Sequence, residues 1–226
     1  EGRTRLAVLG SREWYSGAAR RFSQEVGRAL ARQFSQLVLC TNAMDAVQRV
    51  VAESFLQEAL ALERAGPTGL SVCLLTPGDV EGAVAGTLLT EELAASRGTV
   101  VRCVAGSTHA ESRQALADAA TAALLISGGP GSAGSAEHLH GCGRPVLCVP
   151  TTGGAAAGRF WLPVVLRCAP PWLLAQGAGG EECWRALCGP LPSEQEAAVA
   201  AAAAAKAMSE MLQSCRTAGL ALPSKL

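Results

Sequence analysis

Four glycines and three serines fall within the nine residues Ser127 to Ser135, directly after the apolar run Ala123 to Ile126 and just ahead of a lone carboxylate, Glu137. Gly128, Gly129, Gly131 and Gly134 allow close approach of a ligand to main-chain N–H groups. Ser132 and Ser135 add hydroxyls, and a helix starting there turns its positive end toward the same point. Such a segment suits an anion, phosphate above all. A plain glycine turn between strand and helix has the same composition and is the alternative. A second cradle of this kind is Gly10-Ser11-Arg12, which follows the apolar run Leu6 to Leu9, and a third is Thr151-Thr152-Gly153-Gly154, which follows Pro145 to Val149. Arg12 either pairs with the phosphate or is simply solvated.

The elements that position these turns can be read from periodicity. Leu6–Leu9, Leu37–Cys40, Val72–Leu75, Val100–Val104, Ala123–Ile126 and Pro145–Val149 are short apolar runs of the kind that form buried parallel strands. Between the first two, Ala19, Phe22, Val26, Leu30 and Phe34 recur at helical spacing and predict an amphipathic helix over residues 17 to 33. Val47, Val50, Val51, Phe55, Ala59 and Leu62 predict a second, long helix that stops before Gly66-Pro67. Asp79 is placed to cap a third, with Val84, Leu88 and Leu93 as its stripe and Gly98 as its end, and Thr108-x-x-Glu111 is a capping box that starts a helix carrying Arg113. Alternating strands and helices imply an α/β, Rossmann-like three-layer fold with a parallel sheet of about six or seven strands, the seventh supplied by Trp161–Leu166 at an edge. In such sheets a ligand sits beyond the carboxyl ends of the strands where the winding reverses. The three glycine turns all fall on that side.

Composition excludes several classes. The 226 residues carry no net charge and no basic stripe, so a nucleic-acid backbone is not the expected partner. No apolar run approaches the roughly 18 residues needed to span a bilayer, so membrane insertion is not expected. Nine cysteines without a CxxC pair sit mostly in apolar runs and read as buried small hydrophobes. A soluble protein in a reducing intracellular compartment follows, cytoplasm and organelle interior not being distinguished. His138, His140 and Cys142 lack a second ligand cluster, so no metal is assigned, and no cofactor is required. No Walker loop and no G-x-S-x-G elbow is present.

Taken together, LAVLGSRE (6 to 13), AMDAVQRVVAES (43 to 54), the Arg113 region with ALLISGGPGS (123 to 132), Glu137 and PVLCVPTTGGAA (145 to 156) resemble the LOG-like Rossmannoid family. That family includes the SLOG nucleotide-sensing domains and the "lonely guy" phosphoribohydrolases. The resemblance covers residues 5 to 156 and implies a nucleotide at the strand ends. In the family's enzymes it also implies hydrolysis of the N-glycosidic bond of a nucleoside 5′-monophosphate, with a PGGxGTxxE segment holding the phosphate and supplying a carboxylate. Carried onto this chain it makes Glu137 and Arg113 the catalytic pair. Gly10, Ser11, Arg12, Gly128, Gly129, Gly131, Ser132, Gly134, Ser135, Thr152 and Gly153 become the phosphate and nucleotide contacts. Two departures stand out: Thr41-Asn42 replaces a glycine pair after the second strand, and the spacing from Gly129 to Glu137 is longer than the pattern.

Beyond residue 157 the resemblance fades. The division read from sequence is a Rossmannoid domain over 1–168, an irregular Pro/Gly-rich connection over 169–192, and a helix with its tail over 193–226. Ser193-x-x-Glu196 is a capping box, and the alanine run that follows is a secure helix with little apolar area. It is read as an appended packing element through which the chain forms a homo-oligomer or joins a larger assembly. Two functions stay open at this stage: a nucleotide-binding protein that hydrolyses its ligand, or a catalytically degenerate relative serving as a structural or regulatory subunit.

Overall fold

The computed structural model describes residues 4–42, 46–66, 69–76 and 100–217. The predicted helix capped by Asp79, the Met44-Asp45 pair and the tail after Thr217 lie outside these residues. Six parallel strands form one sheet: β1 (Arg5–Leu9), β2 (Leu37–Thr41), β3 (Leu70–Thr76), β4 (Val100–Val104), β5 (Ala122–Ile126) and β6 (Val146–Val149), in spatial order β4-β3-β2-β1-β5-β6. The chain winds outward from β1 to β4, then returns to the other side of β1 as β5. The winding therefore reverses between β1 and β5, where Leu9 pairs with Leu125 and the two following loops emerge side by side. Among the described residues no seventh strand forms. Trp161–Leu166 instead enters a 3-10 turn at Val164–Arg167, with Trp161 94 % exposed: Pro163 at its N-cap has no N–H to give a ladder, and Val164 and Val165 are exposed.

Alternation along the strands divides the core. Leu6 and Val8 of β1 face one side and Ala7 and Leu9 the other, and the same split runs through β3 and β5. The first side is covered by α1 (Gly17–Gln33) and α2 (Ala46–Ala61), whose Phe22, Val26, Leu30, Val51 and Phe55 have no exposed surface. The second is covered by α3 (His109–Ala119) and α4 (Pro130–Gly141) through Leu116, Ala133, Ala136 and Leu139. Ser16 caps α1, its hydroxyl accepting from the Ala19 N–H at 3.1 Å, and α1 runs over the residues that the apolar spacing predicts.

The C-terminal third departs from the sequence reading. Residues 169–192 are not irregular: α5 (Pro171–Leu174) and α6 (Ala178–Cys188) lie there, and Leu173, Cys183 and Leu187 are buried in the same cluster as α1 and the sheet. Gly179 and Gly180 are poor helix formers, so packing rather than propensity makes this helix. The last helix, α7 (Glu194–Thr217), opens on the expected box, with the Ser193 hydroxyl accepting from Glu196 N–H at 3.2 Å and the Glu196 carboxylate from Ser193 N–H at 3.1 Å. Its stripe of Ala197, Ala200, Ala201, Ala204, Met208 and Leu212 is buried in the core cluster that α1 shares. Small side chains let two helices approach closely, so this face of the helix packs within the chain. Arg21 of α1 pins the connection by donating from Nε and Nη2 to the Leu191 carbonyl at 3.0 and 2.6 Å. Among the described residues no helix is long and apolar enough to cross a membrane.

Candidate functional site

At the carboxyl end of β1, Gly10 is held against the first turn of α2: a Cβ there would lie 2.6 Å from Val47 Cβ, so only hydrogen fits. The Ser11 carbonyl accepts from Val47 N–H at 3.4 Å, and the Ser11 hydroxyl donates to the Glu13 carbonyl at 2.6 Å. At the end of β5 the chain turns through Ser127 (φ 59°) and Gly128 (φ 90°), then starts α4 with Gly129 as N-cap and Pro130 in the first turn. The two loops are joined directly, because the Ser132 hydroxyl donates to the Gly10 carbonyl. Gly131 and Ser132 main-chain N–H groups find no acceptor among the described residues, as the first turn of a helix requires. The helix dipole adds partial positive charge at the same point.

A cavity of about 350 Å³ opens over this junction. Arg113, on the second turn of α3, reaches into it and lies against Gly131: a Cβ at 131 would stand 2.8 Å from Arg113 Nε. The guanidinium has no hydrogen bond or ion pair among the described residues. Arg12 and His109 line the same cavity, as does one carboxylate, Glu13. Two guanidinium groups, two open amides and a helix start against one carboxylate make a hollow that favours an anion. Tyr15 forms another wall, its ring meeting Phe160 edge-on at 6.1 Å between centroids and lying 5.9 Å from the Arg159 guanidinium carbon.

The capping box at Thr108 sets where α3 begins, and so where His109 and Arg113 fall. Thr108 Oγ1 accepts from Glu111 N–H at 3.2 Å, while the Glu111 carboxylate accepts from Ser107 N–H at 2.7 Å, the Ser107 hydroxyl at 3.0 Å and Thr108 N–H at 3.1 Å. The Ser107 amide first, then its hydroxyl and the Thr108 amide, hold the Glu111 carboxyl below the usual carboxylate range. A depressed folded-state pKa means that this support is present above the unfolded value, about 4.3, and lost as pH falls through the folded one. Thr108→Ala should lower stability by about 1 kcal/mol in urea denaturation at neutral pH. A cost indistinguishable from zero would show that the box does not hold α3.

The structure brings together Gly10, Ser11, Arg12, Arg113, Gly129, Gly131 and Ser132 around the one cavity. It does not bring Glu137 there. Counted from Gly129 through an unbroken α4, the PGGxGTxxE pattern puts its carboxylate at Ser135, and Glu137 stands two residues further on. In an α-helix that offset is a rotation of about 200°. Ser135 is accordingly buried, its hydroxyl donating to the Gly131 carbonyl at 3.1 Å, and Glu137 is exposed and outside the cavity lining. Gly134 is also exposed on the outer side, and Gly128 serves the turn. Thr152 has no exposed surface: its hydroxyl accepts from Ser127 N–H and donates to the Val149 carbonyl, at 2.7 and 2.6 Å. With Gly153 at its side, also outside the lining, it ties the loop after β6 to the loop after β5. Sequence reasoning does not select Glu13, Tyr15, Gln48 or His109 as lining residues, and meets Asn42 as half of the pair that replaces two glycines after the second strand. Their sole signal is proximity to the carboxyl ends of β1, β2 and β4.

The fold and the cavity define a doubly wound α/β protein with an open hollow at its switch point. Among solved structures, the structural-genomics target TM1055 matches with a TM-score of 0.50 and 20% identity, over 68% of this chain and 78% of that one. The molybdenum cofactor carrier protein MCP from Chlamydomonas reinhardtii matches with a TM-score of 0.42 and 11% identity, over 65% of this chain and 75% of that one. The fold is the LOG-like Rossmannoid one that the sequence motifs imply. No protein-family model matches the chain, and no curated protein matches it.

Proposed function

We propose that the chain binds a small nucleotide through its 5′-phosphate at the β1/β5 switch point and leaves the glycosidic bond intact. One juxtaposition carries the phosphate: the unpartnered Arg113 guanidinium lying against Gly131 at the open first turn of α4. A phosphate there takes the Gly131 and Ser132 amides and the arginine fork together, each a charge-assisted hydrogen bond. The cavity volume, about 350 Å³, is that of a small-ligand site. The resemblance of the sequence to nucleotide-sensing Rossmannoid domains points to the same ligand class.

Hydrolysis asks for a carboxylate at the ribosyl carbon as the base departs. Ser135 occupies the position where the enzymes' pattern carries it, and Glu137 turns away. Glu13 is the one carboxylate among the described lining residues, and it rises from an exposed loop with no hydrogen-bonded support for its side chain among those residues. The reading thus joins the two that the sequence left open: a nucleotide site kept, its hydrolytic carboxylate lost. The test is thermal unfolding with AMP and other nucleoside monophosphates, alongside an assay for free base and ribose 5-phosphate. Binding should add about 2.7 kcal/mol at a ligand concentration of 100 times Kd, with no base released. Base release that disappears in Glu13→Gln would replace binding by hydrolysis, and no stabilisation by any nucleotide would sink both.

A further inference from the structure

Asn42, the first residue after β2, is about nine-tenths buried and lines the cavity. Its side-chain amide is committed on one side only. Nδ2 donates to the Leu75 carbonyl at 2.8 Å and to the Ser112 hydroxyl at 2.6 Å, and the same hydroxyl donates to Leu75 at 2.9 Å. Both amide protons are used, and a main-chain carbonyl as partner fixes which end of the group is nitrogen. The main-chain N–H of Asn42 donates to Gln48 Oε1 at 3.2 Å, so the residue is held at its backbone as well. Oδ1 has no donor among the described residues, yet among those residues the sealed side-chain polar atom without a partner is Arg5 Nη1 and not Asn42 Oδ1. It therefore keeps accessible surface, and the surface that Asn42 lines is the cavity.

A neutral, rigidly aimed acceptor cannot take a phosphate oxygen, which is itself an acceptor; it selects a hydroxyl or an amine. Asn42 leaves the strand next to β1, one interstrand spacing of about 5 Å from the Gly10 side of the phosphate cradle. A sugar ring spans that interval, whereas a base lies beyond it. We infer that Asn42 Oδ1 accepts a hydrogen bond from a ribose hydroxyl, which makes the site selective for ribonucleotides over their deoxy counterparts. Asn42 is then a specificity-determining residue of the proposed site, and the inference rests on that site holding a nucleotide phosphate. An aimed polar group left without its partner is what lets a protein reject an analogue that lacks one hydroxyl.

Calorimetric titration with AMP, 2′-deoxy-AMP and 3′-deoxy-AMP tests it, read as the ratio of affinities and not as their size. The wild-type chain should prefer AMP to at least one deoxy analogue by about tenfold, and Asn42→Ala should bring that ratio close to one while AMP still binds. Ser112→Ala, which frees one amide proton of Asn42 but leaves its Oδ1, should lower the ratio part of the way, and it decides the matter if Asn42→Ala does not fold. Equal binding of all three ligands by the wild type, or an undiminished ratio in the variants, would make Asn42 a structural peg between β2, β3 and α3. No binding of AMP to the wild type would instead overturn the nucleotide site itself, and the inference with it.

Discussion

Arg113→Ala should weaken the binding of a nucleoside monophosphate by about 30- to 100-fold in calorimetric titration, while the unfolding midpoint without ligand stays where it was. The two halves of this expectation have one cause. The guanidinium has no partner among the described residues, so its loss breaks nothing in the empty protein, yet it lies against Gly131, where the phosphate charge would concentrate. Arg113→Lys keeps the charge and loses the fork, and so should fall between the two. Unchanged affinity in Arg113→Ala would place the anion elsewhere. A large drop in the stability of the ligand-free protein would mean instead that the arginine is holding α3 to α4.

The largest effect on stability is expected at Phe55. Its ring has no exposed surface and belongs to the cluster between α1, α2 and the sheet. The helices around it have no room to collapse inward: a Cβ on Gly27 of α1 would lie 2.5 Å from the Val51 carbonyl oxygen and 2.9 Å from the Phe55 nitrogen, so α1 already touches the α2 backbone. A Phe55→Ala cavity therefore stays open, and the substitution should cost about 3–5 kcal/mol. Against a net stability of roughly 5–15 kcal/mol this removes a large part of the margin. Urea denaturation checks it; a cost below about 1 kcal/mol would show that the α1 and α2 layer repacks freely.

Where chemistry is local, the sequence was enough. Apolar runs ending in glycine turns located β1, β5 and β6 and the loops that follow them, and Thr108-x-x-Glu111 and Ser193-x-x-Glu196 marked two helix starts through bonds that the structure contains. What failed depended on register or on distant partners. Glu137 is the carboxylate that the family resemblance points to after the glycine turn, but two residues along a helix decide whether a side chain faces the hollow or the solvent. Thr152 looked like a ligand contact because hydroxyl and glycine stand together; its partners, Ser127 and Val149, are a matter of tertiary placement. The helix at Ala178–Cys188 was invisible to propensity, since Gly179 and Gly180 sit in its first turn and burial of Cys183 and Leu187 is what secures it.

The close fit between Arg113 and Gly131 reaches past this one molecule. The two residues stand on different helices and share a single volume, so a side chain at position 131 obliges the guanidinium to shift from its seat. A descendant that acquires a methyl group at 131 must seat the arginine at 113 elsewhere, and one that loses the arginine is free to fill 131. These two positions should consequently drift as a pair through evolution, and their joint identity should mark which lineages kept the ligand.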